Sequence, residues 1–126
     1  MPTIADRVFD NGLTVLDTEA NALYICSLEP TTYTQATSTN ALGNATGANF
    51  TGISAPSDRP GGGRRVTVSA ITNGSVTATG TATHYAIVDT VNSRLLVTGA
   101  LTASQVVTSG NSFTTTAFDV GIPDPV

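Results

Sequence analysis

Everything else in this chain has to pack around the stretch 64–118, RRVTVSAITNGSVTATGTATHYAIVDTVNSRLLVTGALTASQVVTSGNSFTTTAF. β-Branched residues recur along it and turn signals interrupt it about every eight to twelve residues, with no sustained helical spacing of apolar positions. That pattern predicts a mainly β protein: an antiparallel β-sandwich, jelly-roll or immunoglobulin-like, with a short N-terminal helix. Threonine, at 23 of 126 residues, carries most of the polar content. Its side chain is stiff at χ1 and suits a pleated surface, which favours strands again.

A chain of 126 residues fits one domain and buries roughly two-thirds of its unfolded surface, enough for a core without staples. Charged residues are only 11% against 40% hydrophobic, so the chain is not a disordered tail. All five basic residues are arginines and the net charge is −4, with only Arg64 and Arg65 adjacent. Direct binding to DNA or RNA needs a clustered positive field, so it is not expected. Cys26 stands alone and reads as a small buried hydrophobe in ALYICS. The N-terminus lacks a signal-peptide pattern and no run of about 18 apolar residues occurs, so a soluble, unexported chain with no membrane contact is expected.

In chain order, Thr3 followed three residues later by Asp6 has the form of a helix start. The apolar pairs Ile4/Val8 and Ala5/Phe9 continue it to a stop at Asn11-Gly12, which predicts two helical turns. LTVL at 13–16 and ALYICSL at 22–28 flank the polar DTEAN and predict a hairpin with a buried second strand; a helix over 13–23 is the competing reading. After Glu29-Pro30, Tyr33, Ala36, Thr37 and Ala41 share one side of a short helix ending at Gly43. Positions 44–60 read as a surface excursion with at most one edge strand, and RPGGGR at 59–64 as its most flexible part.

Within 64–118 the faces choose the register. A three-residue loop at Thr72-Asn73-Gly74 opposes Ala70 to Val76, Val68 to Ala78 and Val66 to Gly80, which keeps small and apolar residues on one face. A turn at 90–93 opposes Asp89 to Arg94, Val88 to Leu95, Ile87 to Leu96 and Ala86 to Val97, giving two central strands apolar on both faces. The meander then continues through 105–108 and 112–118. The single domain thus divides into a helix and hairpin over 1–29, an irregular excursion over 30–63, a β-meander core over 64–118 and an extended tail over 119–126. Pro123 and Pro125 cannot donate to a ladder, so the tail is expected to be available to a neighbour.

The chemistry-bearing residues are few. His84 is the only histidine and falls inside a predicted central strand, where a packed histidine is the plainer reading than a catalytic one. One His and one Cys do not make a zinc site. Asp17, Glu19 and Asn21 alternate as the start of a calcium loop does, but Ala22 replaces the glycine and Leu28 stands where the bidentate glutamate belongs. GGG before Arg64 lacks the lysine of a phosphate loop and is better read as a mobile segment; docking of its arginines on an acidic neighbour is the functional alternative. The sequons at Asn44, Asn49 and Asn73 are about as many as chance gives in a chain this rich in Ser and Thr, and no glycosylation is assigned. No catalytic residue, metal or cofactor is predicted.

The run LDTEANALYICSLEPTTYTQATSTNALGN, then GRRVTVSAITNGSVTATGTATHYAIVDTVNSRLLVTGAL and the ending TSGNSFTTTAFDVGIP, resembles small virion structural proteins of tailed bacteriophages. The resemblance spans about residues 8–123 and lies in texture and strand order; it transfers no functional residue. It implies a non-enzymatic capsid decoration (cement) protein on the capsid surface of the virion, made in the host cytoplasm. Its expected partners are the major capsid protein or neighbouring virion proteins, and a homo-oligomer is expected, a trimer at threefold positions being one form. The alternative is a head-fibre or tail module that binds a receptor or carbohydrate, against which stands the aromatic content of 6% with no tryptophan. Since such proteins reach neighbours through flexible or extended segments, the candidate partner-binding residues are Arg59, Arg64, Arg65, Ile122 and Pro123.

Overall fold

Ala22–Cys26 (β2) is apolar on both faces, with four of its five residues buried, and a strand of that kind needs cover on two sides. In the computed structural model, which describes residues 12–122 and the backbone of Thr3–Ile4, β2 is the middle strand of a seven-stranded antiparallel sheet. The order is β1 (Thr3–Ile4), β8 (Arg94–Val107), β7 (Gly80–Asp89), β2, β3 (Ala41–Thr46), β6 (Ile71–Val76) and β9 (Ser112–Thr115). This sheet curls into a half-barrel. A second, three-stranded antiparallel sheet has the order β10 (Phe118–Ile122), β5 (Arg64–Val68), β4 (Ser57–Asp58). Strands make up 52% of the structure, which settles the class as mainly β.

One core joins the two sheets. Val66, Val68 and Val120 of the small sheet lie in the same buried cluster as Leu23, Ile25, Ile87, Leu96 and Phe113 of the large one. The other face of β2 and β7 is covered by a π-helical turn (Gln35–Thr39), whose fully buried Ala36 packs on Ala22, Cys26, Ala86 and Val88. That helical turn ends before β3, so Gly43 lies inside a strand and not at a helix stop. Gly43 is needed there for space, since a Cβ would sit 2.5 Å from the Ser75 carbonyl oxygen.

The expected N-terminal hairpin does not form. Thr14–Glu19 (α1) is helical, with Leu13, Val15 and Leu16 buried. Val15 and Leu16 are neighbours and both inward, which a helix face accommodates and an alternating strand does not. The competing helical reading therefore holds for its first half, and the chain turns extended at Ala20 to enter β2. The helix expected from Thr3 falls largely on 5–11, outside the described residues; Thr3–Ile4 themselves pair with Thr98 and Val97 of β8.

The meander is also corrected. β5 and β6 are not a hairpin, because β5 pairs with β10 and β4 while β6 pairs with β3 and β9. Asn73-Gly74 lies within β6. Gly74 opposes Phe113, and a Cβ on it would overlap the Phe113 ring, so this glycine answers a packing need in another strand. β9 joins β6 and not β8.

The β7–β8 hairpin does form, with Asp89 opposite Arg94 and Val88 opposite Leu95 as expected. A bulge between Ile87 and Val88 then shifts the register by one, so that Ile87 meets Val97 and Ala86 meets Thr98. The shift lets consecutive Leu96 and Val97 both be buried. Its turn is held by Asp89, 2% exposed, whose carboxylate accepts from the Val91 N–H (3.0 Å), the Asn92 N–H (3.3 Å) and Asn92 Nδ2 (2.8 Å). The polar DTEAN segment clamps the same turn: Glu19 meets Arg94 at 3.3 Å, and Asn21 accepts from the Thr90 N–H at 3.0 Å.

Candidate partner-binding site

The small sheet collects most of the residues that the sequence singled out. Along β5 side chains alternate, so Val66 and Val68 enter the core while Arg65 and Thr67 face outward. β10 is in register with it, Asp119 opposite Thr67 and Gly121 opposite Arg65. Asp119 Oδ2 accepts from Arg65 Nη1 at 2.7 Å and its Oδ1 from the Thr67 hydroxyl at 2.7 Å. The Thr67 hydrogen bond, opposed by partial desolvation and reinforced by Arg65, holds the Asp119 carboxyl below the usual carboxylate range. Arg59, Pro60, Arg65, Asp119 and Gly121 together line a cavity of about 400 Å³.

Arg59 arrives there from the β4–β5 loop. Gly61, Gly62 and Gly63 have φ of 86°, 106° and 95°, a run of left-handed backbone that favours glycine, and the loop closes on itself through the Arg59 N–H to Gly63 carbonyl bond at 3.0 Å. Arg59 Nη1 donates to the Gly62 carbonyl at 2.9 Å. This segment, read from sequence as the most flexible, is thus folded back with internal hydrogen bonds.

Arg64 goes elsewhere. It lies one residue from Arg65 and so on the opposite face, where Nη1 meets Asp58 Oδ1 at 2.6 Å and Nη2 donates to the Pro56 carbonyl at 3.2 Å. Ile122 is directly opposite Arg64 and packs against the core. It is therefore a structural residue of β10, not part of an available tail: the parity of Phe118, Val120 and Ile122 turns the last strand inward. Pro123 lies outside the described residues. Asp119 and Gly121 were missed by sequence reasoning, although their alternation with Phe118, Val120 and Ile122 was the signal.

A second concavity, of about 680 Å³, opens between the two sheets. A bulge that sets 101–104 of β8 against Thr83 forms one wall and 114–116 the other. Tyr85 and Phe118 line it with ring centroids 4.6 Å apart and planes tilted by 50°. Tyr85 lies over Gly99, where a Cβ would come within 2.6 Å of the phenol oxygen. Burial raises the Tyr85 pKa, and the groove lining carries no charged side chain. Thr115 Oγ1 at its edge is buried with no hydrogen-bond partner.

His84 and Cys26 are tied into the structure. His84 Nδ1 lies 2.8 Å from the Thr83 hydroxyl, which itself donates to the Ser27 carbonyl at 2.8 Å. Cys26 is buried and its thiol is pushed up to about 12 by that burial. Among the described residues no three His, Cys, Asp or Glu side chains converge as a metal site, and no helix is long and apolar enough to cross a membrane. Comparison with known protein families, with curated proteins and with solved structures finds no match.

Proposed function

We propose that this chain is a non-enzymatic bacteriophage virion structural protein, a capsid decoration (cement) protein that binds across major capsid protein subunits or neighbouring virion proteins and acts as a homo-oligomer. A sandwich-type scaffold, jelly-roll or immunoglobulin-like, goes with this reading, since a rigid β body has to hold its docking surface across a subunit junction. The observation that supports it is the small sheet: the 55–64 segment and residues 119–122, both expected to reach neighbours, are joined there into one sheet whose outer face carries Arg59 and Arg65. Binding that exists only on the assembled shell stabilises that shell by mass action.

Quantitative mass spectrometry of purified virions tests this. Hundreds of copies per particle are expected for a protein spread over the capsid lattice. A handful or a dozen would move it to a vertex, neck or tail, and absence from the particle would overturn the virion reading. The neutral, threonine-lined groove over Tyr85 and Phe118 favours one second reading, a receptor- or carbohydrate-binding module of a head fibre or tail. A reproducible hit on a glycan array, lost in Tyr85→Ala, would put that reading first.

A further inference from the structure

The cavity on the outer face of the small sheet carries charge that no other described residue matches. Two guanidinium groups, Arg59 and Arg65, line it with one carboxylate, Asp119, so among the described residues one positive charge is uncompensated. Arg65 gives Nη1 to Asp119, while its Nε is closed off from solvent and has no hydrogen-bond partner among the described residues. Arg59 spends one N–H on the Gly62 carbonyl and meets no carboxylate among the described residues. A guanidinium presents its donors in a planar fork that fits a carboxylate.

The position of Arg59 is itself built. Its stem crosses β10 at Gly121, where a Cβ would lie 2.9 Å from Arg59 Cδ and 3.1 Å from Nε. A side chain there would make the arginine stem shift, the more so the bulkier it is, so Gly121 leaves the gap in which the second guanidinium lies beside Arg65. The tri-glycine loop fixes the same residue from the other side, through the 2.9 Å bond from Nη1 to Gly62.

We propose that this cavity is a receptor for one carboxylate, the side chain of an Asp or Glu on a partner protein, held between Arg59 and Arg65. The charge selects the class. A monoanion neutralises the single surplus charge, whereas a phosphate dianion would leave negative charge next to Asp119. This inference rests on the docking reading only for the owner of the carboxylate; the pocket chemistry belongs to the isolated chain.

The test is an NMR titration of the arginine Nε–H signals in the full chain, replacing sodium chloride by sodium acetate at constant ionic strength, with inorganic phosphate in a parallel arm. Acetate should shift Arg59 and Arg65 saturably and leave Arg64 and Arg94 in place. Arg59→Gln should abolish the response. Gly121→Val keeps both charges but displaces the Arg59 stem, and should weaken acetate binding about tenfold, the loss of roughly one charge-assisted hydrogen bond. Equal, non-saturating shifts at every arginine, tighter binding of phosphate than acetate, or a response that survives in Arg59→Gln would overturn the proposal. If either variant unfolds, the wild-type titration still decides through its selectivity and saturation. Failure here would leave virion copy number untouched, and absence from virions would leave the acetate response untouched, so the two readings fail separately.

Discussion

The two sheets are built from the same Thr-, Val- and Gly-rich material but place charge differently. The seven-stranded sheet keeps its interior apolar and carries its strand-borne charges, Asp89 and Arg94, at the tip of one hairpin. The three-stranded sheet and its loop hold Asp58, Arg59, Arg64, Arg65 and Asp119, half of the ten charged residues among those described. Both sheets share one core, so the difference is not between a folded and a loose part. It lies in what the outer face does: the large sheet buries Ala22, Cys26, Ala86 and Val88 of its second face with Ala36 of the π-helical turn, while the small sheet presents ion pairs to its surroundings.

The largest effect that would sharpen this contrast is in β2. Leu23 is fully buried at the centre of the large sheet, and Leu23→Ala should cost about 2–5 kcal/mol through lost transfer energy and the cavity left behind. Urea unfolding of the two variants measures it against Val120→Ala in β10, which removes about two methylene equivalents and should cost roughly 1.6 kcal/mol before any cavity cost. Val120 is 6% exposed, and it anchors β10 against β5. If Val120→Ala proved the more damaging of the two, the small sheet and not the large one would be the stability centre, and the division of labour would be wrong.

A smaller effect tests the hairpin tip. Asp89 is desolvated, which by itself would raise its pKa, but the hydrogen bonds from Asn92 and Val91 and the charge of Arg94 outweigh that and hold it below the ordinary carboxylate range. A carboxyl lowered in the folded state binds fewer protons there than in the unfolded chain, so its contribution is complete above the ordinary Asp range and is lost as pH falls through the lowered value. Asp89→Ala should cost about 1.5–3 kcal/mol near neutral pH, the range for hydrogen bonds to a charged group. The gap from wild type should narrow on acidification. A gap that widened toward low pH would reverse the sign assigned to this carboxyl.

The same hairpin shows what the sequence could and could not disclose. Its turn is local, and the pairs Asp89/Arg94 and Val88/Leu95 follow from counting outward from 90–93. Two residues further on, the bulge at Ile87/Val88 shifts everything, and the partner of Tyr85 becomes Gly99 where uniform counting gives Thr98. That single slip hid the aromatic floor of the groove, because the space above Gly99 exists only in the bulged register. Gly74 misled for the related reason that a glycine needed by a distant ring reads the same as a glycine needed by a turn. At the candidate site, Arg59, Arg64 and Arg65 were legible as candidate partner-binding residues. Their separation onto two faces, and the seat for Arg59 at Gly121, depend on β10 returning to pair with β5 from more than fifty residues away, which no local pattern encodes.

The smallest expected effect bears on whether the arginines of the small sheet stabilise it or serve its outer surface. Arg64 and Asp58 lie 2.6 Å apart, but their side chains are 56% and 95% exposed. Such a pair gains little Coulomb energy in water, orders two mobile side chains and is screened by salt, so a double-mutant cycle with Arg64→Ala and Asp58→Ala should give a coupling of about 0.2–1 kcal/mol that shrinks toward zero at roughly 1 M salt. The pair sits at the β4 edge, where Asp58 is directly opposite Arg64, so its geometry follows from strand register and does not require the attraction to hold it. A coupling well above that range, persisting in high salt, would mean that the edge is electrostatically locked. The arginines would then be stability elements of the small sheet, and Arg65 and Arg59, one strand face away, would have to be judged by the same standard before being assigned to a partner.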